Sequence, residues 1–192
     1  MLVNMEKSWL SKMFGSSKKS RLAAAPPDAV VVAAMDAVDA EAQFGLGVRF
    51  AAGTGAVQDY AQAADWYRKA AEQNHGLAQF NLGMMYAKGQ GVLRDDAQSL
   101  VWFGRAAQLG DAGGQYHMGR NRQRASMDGL PADAPEARIE AYKWYQLSAA
   151  QGYKDAEGAY AMLIFKMTRE DVSEANQRVA KFVAGGGTPQ RT

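Results

Sequence analysis

The chain has 192 residues and no cysteine, and His75 and His117 are its only histidines. Disulfides, iron–sulfur clusters and thiolate zinc sites are therefore impossible, and a histidine-rich metal centre is not expected. Paired carboxylates are the next chemistry to weigh. Asp95-Asp96 are adjacent at the opening of an expected helix, and Asp59 holds the equivalent place 36 residues earlier, so recurrence argues for capping rather than acid–base work. Asp133 and Glu136 flank Pro135 in a turn, where the sequence identifies no partner for them. No nucleophile, base and acid converge as a catalytic pocket requires, so no catalytic residue is assigned. Gly53-Thr54-Gly55 and Gly89-Gln90-Gly91 superficially suggest a phosphate loop. A dinucleotide fingerprint needs a preceding strand and a third glycine opening a helix, whereas these glycines follow one helix and precede another and read as turns. What remains is cationic. His117, Arg120 and Arg124 fall at 0, +3 and +7 within the run Gly119-Arg120-Asn121-Arg122-Gln123-Arg124, a basic stripe suited to receiving a carboxylate in bidentate fashion.

The elements that position this stripe follow from an internal period. Ala42-Gln43-Phe44-Gly45-Leu46-Gly47 recurs as Ala78-Gln79-Phe80-Asn81-Leu82-Gly83 and Gly114-Gln115-Tyr116-His117-Met118-Gly119, at intervals of 36 residues. Trp66-Tyr67 recurs as Trp102-Phe103 and Trp144-Tyr145; the last interval is 42, and the six added residues are expected in the turn from Met127 to Pro135. Ala78, Leu82, Met85 and Tyr86 form one apolar stripe at helical spacing, and Ala63, Trp66, Tyr67 and Ala70 form another, so each unit reads as two antiparallel helices. Gly47, Gly83 and Gly119 should admit close helix approach beside an aromatic ring. Asn74, Gly110 and Gly152, eight residues after the tryptophans, should be left-handed caps. The tryptophans themselves are expected in the core, and His75 as a solvated turn residue.

Ala-Gln-Phe-Asn-Leu-Gly-x-x-Tyr-x-x-Gly-x-Gly followed by Trp-Phe-x-x-Ala-Ala-x-x-Gly resembles the Sel1-like repeat, a relative of the tetratricopeptide repeat. The resemblance spans roughly residues 40–167 and is strongest over 76–111. It implies an all-α, right-handed α-solenoid of antiparallel helix pairs, serving as a protein-interaction scaffold or adaptor, generally without catalysis of its own; apart from the resemblance, no cofactor is expected and a bacterial-type cytoplasm is the default location. The stapled, disulfide-bearing relatives are excluded by the absence of cysteine. Arg122 replaces the tyrosine position held by Phe50 and Tyr86, and Gly158 replaces the aromatic position, so the pattern decays toward the end.

The expected organisation is a basic leader (1–27), an N-terminal capping helix (28–39), repeats at 40–75, 76–111 and 112–153, and a half repeat at 154–167. A C-terminal capping helix (168–184) and a disordered tail (185–192) follow. Thr168 and Asp171 form a capping-box pattern, and Val172, Ala175, Val179 and Phe182 share one face. The leader carries five Lys/Arg against one acid, about +4, while the whole chain sums to +2, so the body is slightly acidic and sequence-general nucleic-acid binding is disfavoured. Trp9, Leu10, Met13 and Phe14 among those lysines read either as an amphipathic anchor that recruits the protein to a membrane-bound assembly or as a disordered extension. The longest apolar run, Ala29 to Met35, is far below the roughly 18 residues of a spanning helix. No secretory signal fits. The expected partner surface is the trough lined by the first helix of each pair: Asn81, Met84 and Lys88 in the second repeat, and His117, Arg120 and Arg124 in the third, receiving a protein or peptide with acidic character.

Overall fold

The computed structural model describes residues 39–187 apart from Ala56 and Pro131. Residues 1–38, where the basic leader and nearly all of the N-terminal capping helix are expected, and the last five residues lie outside it. Eight helices and no strand occur among the described residues: α1 (Ala40–Ala52), α2 (Tyr60–Glu72), α3 (Gly76–Lys88), α4 (Asp96–Gln108), α5 (Ala112–Asp128), α6 (Ala134–Ala150), α7 (Ala156–Ile164) and α8 (Arg169–Ala184). Each helix through α7 packs on the one before it, which is the layout of a helical solenoid, while α8 returns to lie against α6.

Local chemistry sets the helix boundaries. The side chains of Asp39, Asp59, Asp95 and Asp111 each accept a backbone N–H in the first turn of the helix that follows. Thr168 and Asp171 form the reciprocal capping box expected of them. Asn74, Gly110 and Gly152 adopt positive φ values of 63°, 89° and 76°, as their spacing after the tryptophans requires. His75 departs from expectation. It is the N-cap of α3, its Nδ1 accepting from the Ala78 N–H at 3.1 Å, its ring stacked 4.6 Å from Phe44 and its Nε2 3.0 Å from Glu41. It occupies the register position of Asp39 and Asp111, and an imidazole nitrogen can accept as a carboxylate does.

Trp66, Trp102 and Trp144 are 5%, 8% and 4% exposed, and a cation covers each ring: Lys69 at 4.1 Å, Arg105 at 4.6 Å and Lys143 at 4.2 Å. The repeated glycines admit the residue after the tryptophan. A Cβ on Gly47, Gly83 or Gly119 would meet the ring of Tyr67, Phe103 or Tyr145 at 2.5, 2.8 and 2.6 Å respectively. At the C-terminal end the Phe182 ring meets Trp144 edge-on at 5.4 Å. Arg178 there binds Glu136, Glu140 and Glu174, fastening α8 to α6. Glu136 therefore has the partner that the sequence could not identify.

The six-residue insertion is not a longer turn. Helices α1 to α4 have 13 residues each, and α5 and α6 have 17 each. The connection from α5 to α6 shortens by two residues relative to the connections after α1 and α3. The insertion thus adds a helical turn to both arms of the third pair.

Buried glutamines run through the array at the same period. Gln43, Gln79 and Gln115 are almost fully enclosed. Gln73 donates to the Gln43 Oε1 at 2.8 Å, and Gln151 donates to the Gln115 Oε1 at 2.9 Å. The corresponding donor position in the second repeat is Leu109, which is 44% exposed, and the Gln79 Oε1 is buried without a partner. Leu109→Gln is expected to supply the missing donor and stabilise the fold by about 0.5–1.5 kcal/mol. Thermal unfolding should show a rise of roughly 2–4 °C, and Leu109→Ala should show none.

Candidate partner-binding cleft

A cleft of 510 Å³ opens between the α3–α4 turn, the start of α4 and the second half of α5. Leu100, Phe103 and His117 line it, and Arg94, Arg120 and Arg124 supply its cations. The structure thus brings together the three expected residues of α5. The three expected on α3 do not line it. Asn81 and Met84 are half-buried, and Asn81 hydrogen-bonds toward the Tyr67 hydroxyl. Lys88 is exposed and close enough to His117 to act on its charge.

His117 is not a cation in this cleft. Its ring stacks on Phe103 at 4.2 Å with an interplanar angle of 14°. Burial, then the positive charges of Arg120 and Lys88, hold its pKa down to about 4. The expected stripe of three positive charges on α5 is therefore two, Arg120 and Arg124, standing beside a neutral aromatic surface.

The remaining charges differ in how they are held. Arg94 clamps Asp96 through Nε and Nη2, both at 3.1 Å, and this hydrogen bonding lowers the Asp96 pKa, with Arg124 adding to the field. Arg124 reaches Asp128 at 3.1 Å across one helical turn, with both side chains largely in solvent. Such exposed pairs are weak and exchange readily with a competing carboxylate. Arg120 has no ion-pair partner among the described residues; its charge acts on His117, Tyr145 and Tyr153. The cleft thus presents an apolar aromatic surface with arginines, one of them uncommitted. Arg94 and Asp96 were not singled out for this site, although Arg94 could have been noticed as a cation replacing Gln58 in the repeat register.

Ser99, His117 and Asp96 all line the cleft, yet no hydrogen bond joins any two of them, and Asp96 is engaged by Arg94. No group of three potential metal-binding side chains occurs among the described residues. The same residues include no helix long and apolar enough to cross a membrane.

This arrangement can be set beside known proteins. The Sel1 repeat model matches residues 40–75, 76–111 and 112–153, more than half of the chain. The chain belongs to the Sel1 repeat family. A crystal structure of a Sel1 repeat protein from Oxalobacter formigenes is similar at 36% identity and a TM-score of 0.56, the match covering 69% of this chain and 93% of that one. Another, of c5321, a protective antigen of uropathogenic Escherichia coli strains displaying this repeat fold, is similar at 31% identity and a TM-score of 0.51. That match covers 79% of this chain and 35% of the antigen. None of the curated proteins matches. Sel1 repeats generally mediate protein–protein interaction.

The neutral state of His117 has a measurable consequence. Its folded pKa lies below the ordinary value of 6.5, so the unfolded chain binds the proton more readily. The contribution of the neutral ring to stability is present in full above about pH 6.5 and is lost as the pH falls toward about 4. Allowing for the solvent that still reaches the ring, the loss is on the order of 2 kcal/mol. Denaturant unfolding at pH 7 and pH 4.5 should show this loss in the parent chain and a smaller one in His117→Leu.

Proposed function

We propose that this Sel1 repeat protein is a non-catalytic scaffold whose cleft between the second and third repeats receives an acidic, partly apolar segment of a protein partner. The single observation that carries the reading is the pairing of the Phe103–His117 stack with Arg120, a cation with no ion-pair partner among the described residues. Arginine presents its donors in a fixed planar fork, which suits a carboxylate, and the aromatic surface favours an apolar side chain next to it. Arg94 and Arg124 would exchange their exposed intramolecular acids for those of the partner. Asn81, Met84 and Lys88 of α3 lie outside the cleft and would meet only a longer partner segment. Cytoplasmic location is part of this proposal.

The test is charge reversal. Arg120→Glu with Arg124→Glu should lower capture of native-host partners in a pull-down by at least about tenfold, equivalent to some 1.4 kcal/mol. The melting temperature should stay close to that of the parent, because both side chains are exposed. Unchanged capture by the doubly reversed chain would remove the acidic-segment reading.

A further inference from the structure

The turns inserted into α5 and α6 build a second cavity. It measures 240 Å³, shares Gln123 and Met127 with the cleft, and is completed by Arg138, Met162, Leu163 and Lys166. Arg138 stands where Tyr60 and Asp96 open α2 and α4, so a cation appears at this register position only in the elongated pair. Its Nε is buried without a hydrogen-bond partner. An orphaned guanidinium N–H is costly in a folded protein, and because this one is out of reach of solvent, a ligand in the cavity would be met by the terminal guanidinium nitrogens. Neither Arg138 nor Lys166 has an ion-pair partner among the described residues, and no acid lines the cavity. Leu163, 2% exposed, and Met127 and Met162, 64% and 66% exposed, supply apolar wall, and Ser126, whose hydroxyl donates to the Gln123 carbonyl at 2.6 Å, a polar one. Gln123 accepts from the Tyr145 hydroxyl at 2.7 Å, which leaves its amide N–H groups as donors.

We propose that this cavity binds a short aliphatic carboxylate, Arg138 and Lys166 taking the carboxylate and Met127, Met162 and Leu163 taking the alkyl chain. Cations and apolar side chains share a cavity of only 240 Å³, so charge and alkyl group must sit close together on the ligand. A free branched-chain acid has this chemistry, and so does the terminal leucine of a peptide. The inference rests on Arg138 and its surroundings and does not depend on the acidic-segment reading of the neighbouring cleft.

Isothermal titration of the full chain with 4-methylpentanoate, and with an acetylated tripeptide ending in leucine, tests it. Each acid is paired with its carboxamide. Saturable binding of either acid, with the amide weakened by about tenfold or more, is the expected result. Binding of the free acid alone identifies a small-molecule source, and binding of the peptide alone identifies a chain terminus. Arg138→Met should weaken the acid by about tenfold and leave the amide as it was. Met162→Glu, at an exposed wall position that does not endanger folding, should weaken the acid in the same way. The proposal is overturned if neither acid binds at about 10 mM, a concentration that detects even millimolar affinity. It is equally overturned if acid and amide bind alike, or if a folded Met162→Glu binds as the parent does.

Discussion

Replacing Trp102 with alanine is expected to cost about 3–5 kcal/mol, the range for removing a large aromatic from a packed interior. The ring is 8% exposed and belongs to a cluster with Ala63 and Tyr67 of α2 and with Leu82 and Met85 of α3. One side chain on α4 therefore joins the second repeat to the first. In an array where each unit leans on its neighbours, a hole at that junction weakens both sides. A lowering of the thermal midpoint by about 6–20 °C follows for a chain of this size. Circular dichroism melts of parent and variant decide the matter. Retention of the parental midpoint would contradict the placement of the indole. Arg105, stacked 4.6 Å from the ring, gives a milder comparison. Arg105→Ala removes only a half-solvated cation–π contact, of about 0.5–1 kcal/mol.

The all-helical fold was legible because its determinants are local and recur. Trp66, Trp102 and Trp144 keep fixed distances to Asn74, Gly110 and Gly152, and a residue that must adopt positive φ is visible as glycine or asparagine before any coordinates exist. What was not legible depended on substitution within the register. His75 looked like a solvated turn residue because histidine is an uncommon cap, yet its place in the period, matching Asp39 and Asp111, contained the answer. The insertion looked like a loop because prolines and glycines mark its middle, and nothing local says that its outer residues extend two helices. The basic stripe was legible as a pattern of types. The charge state of His117 was not, since it follows from a ring stacked on Phe103, 14 residues away in sequence, and from burial between helices. Arg138 was not legible for the same reason: the cavity it lines is formed only by the packing of α5 and α7 against α6.

Gly91 should be the least replaceable of the turn glycines, and Gly55 is its natural control. Both stand at the same register position, with φ of 69° and 76°, so an alanine at either meets a similar left-handed strain of about 1–2 kcal/mol. Their surroundings differ. A Cβ on Gly55 would find only the Arg49 Nη2 at 3.5 Å. A Cβ on Gly91 would lie 2.0 Å from the Tyr60 carbonyl oxygen and 2.7 Å from the Ala61 nitrogen, which are backbone atoms and cannot swing aside. Those atoms form the first turn of α2, where Asp59 accepts from Ala61 and Gln62 at 2.9 and 3.0 Å. Accommodating the methyl group means displacing that cap, so Gly91→Ala is expected to cost about 3 kcal/mol or more, while Gly55→Ala stays near the strain alone. Denaturant midpoints of the two variants measure the difference directly. That difference reports the contact between the second repeat's turn and the first repeat's second helix, free of the strain that the two sites share. Equal losses would mean that this contact is open in solution, and the tight stacking of the first two repeats would have to be abandoned.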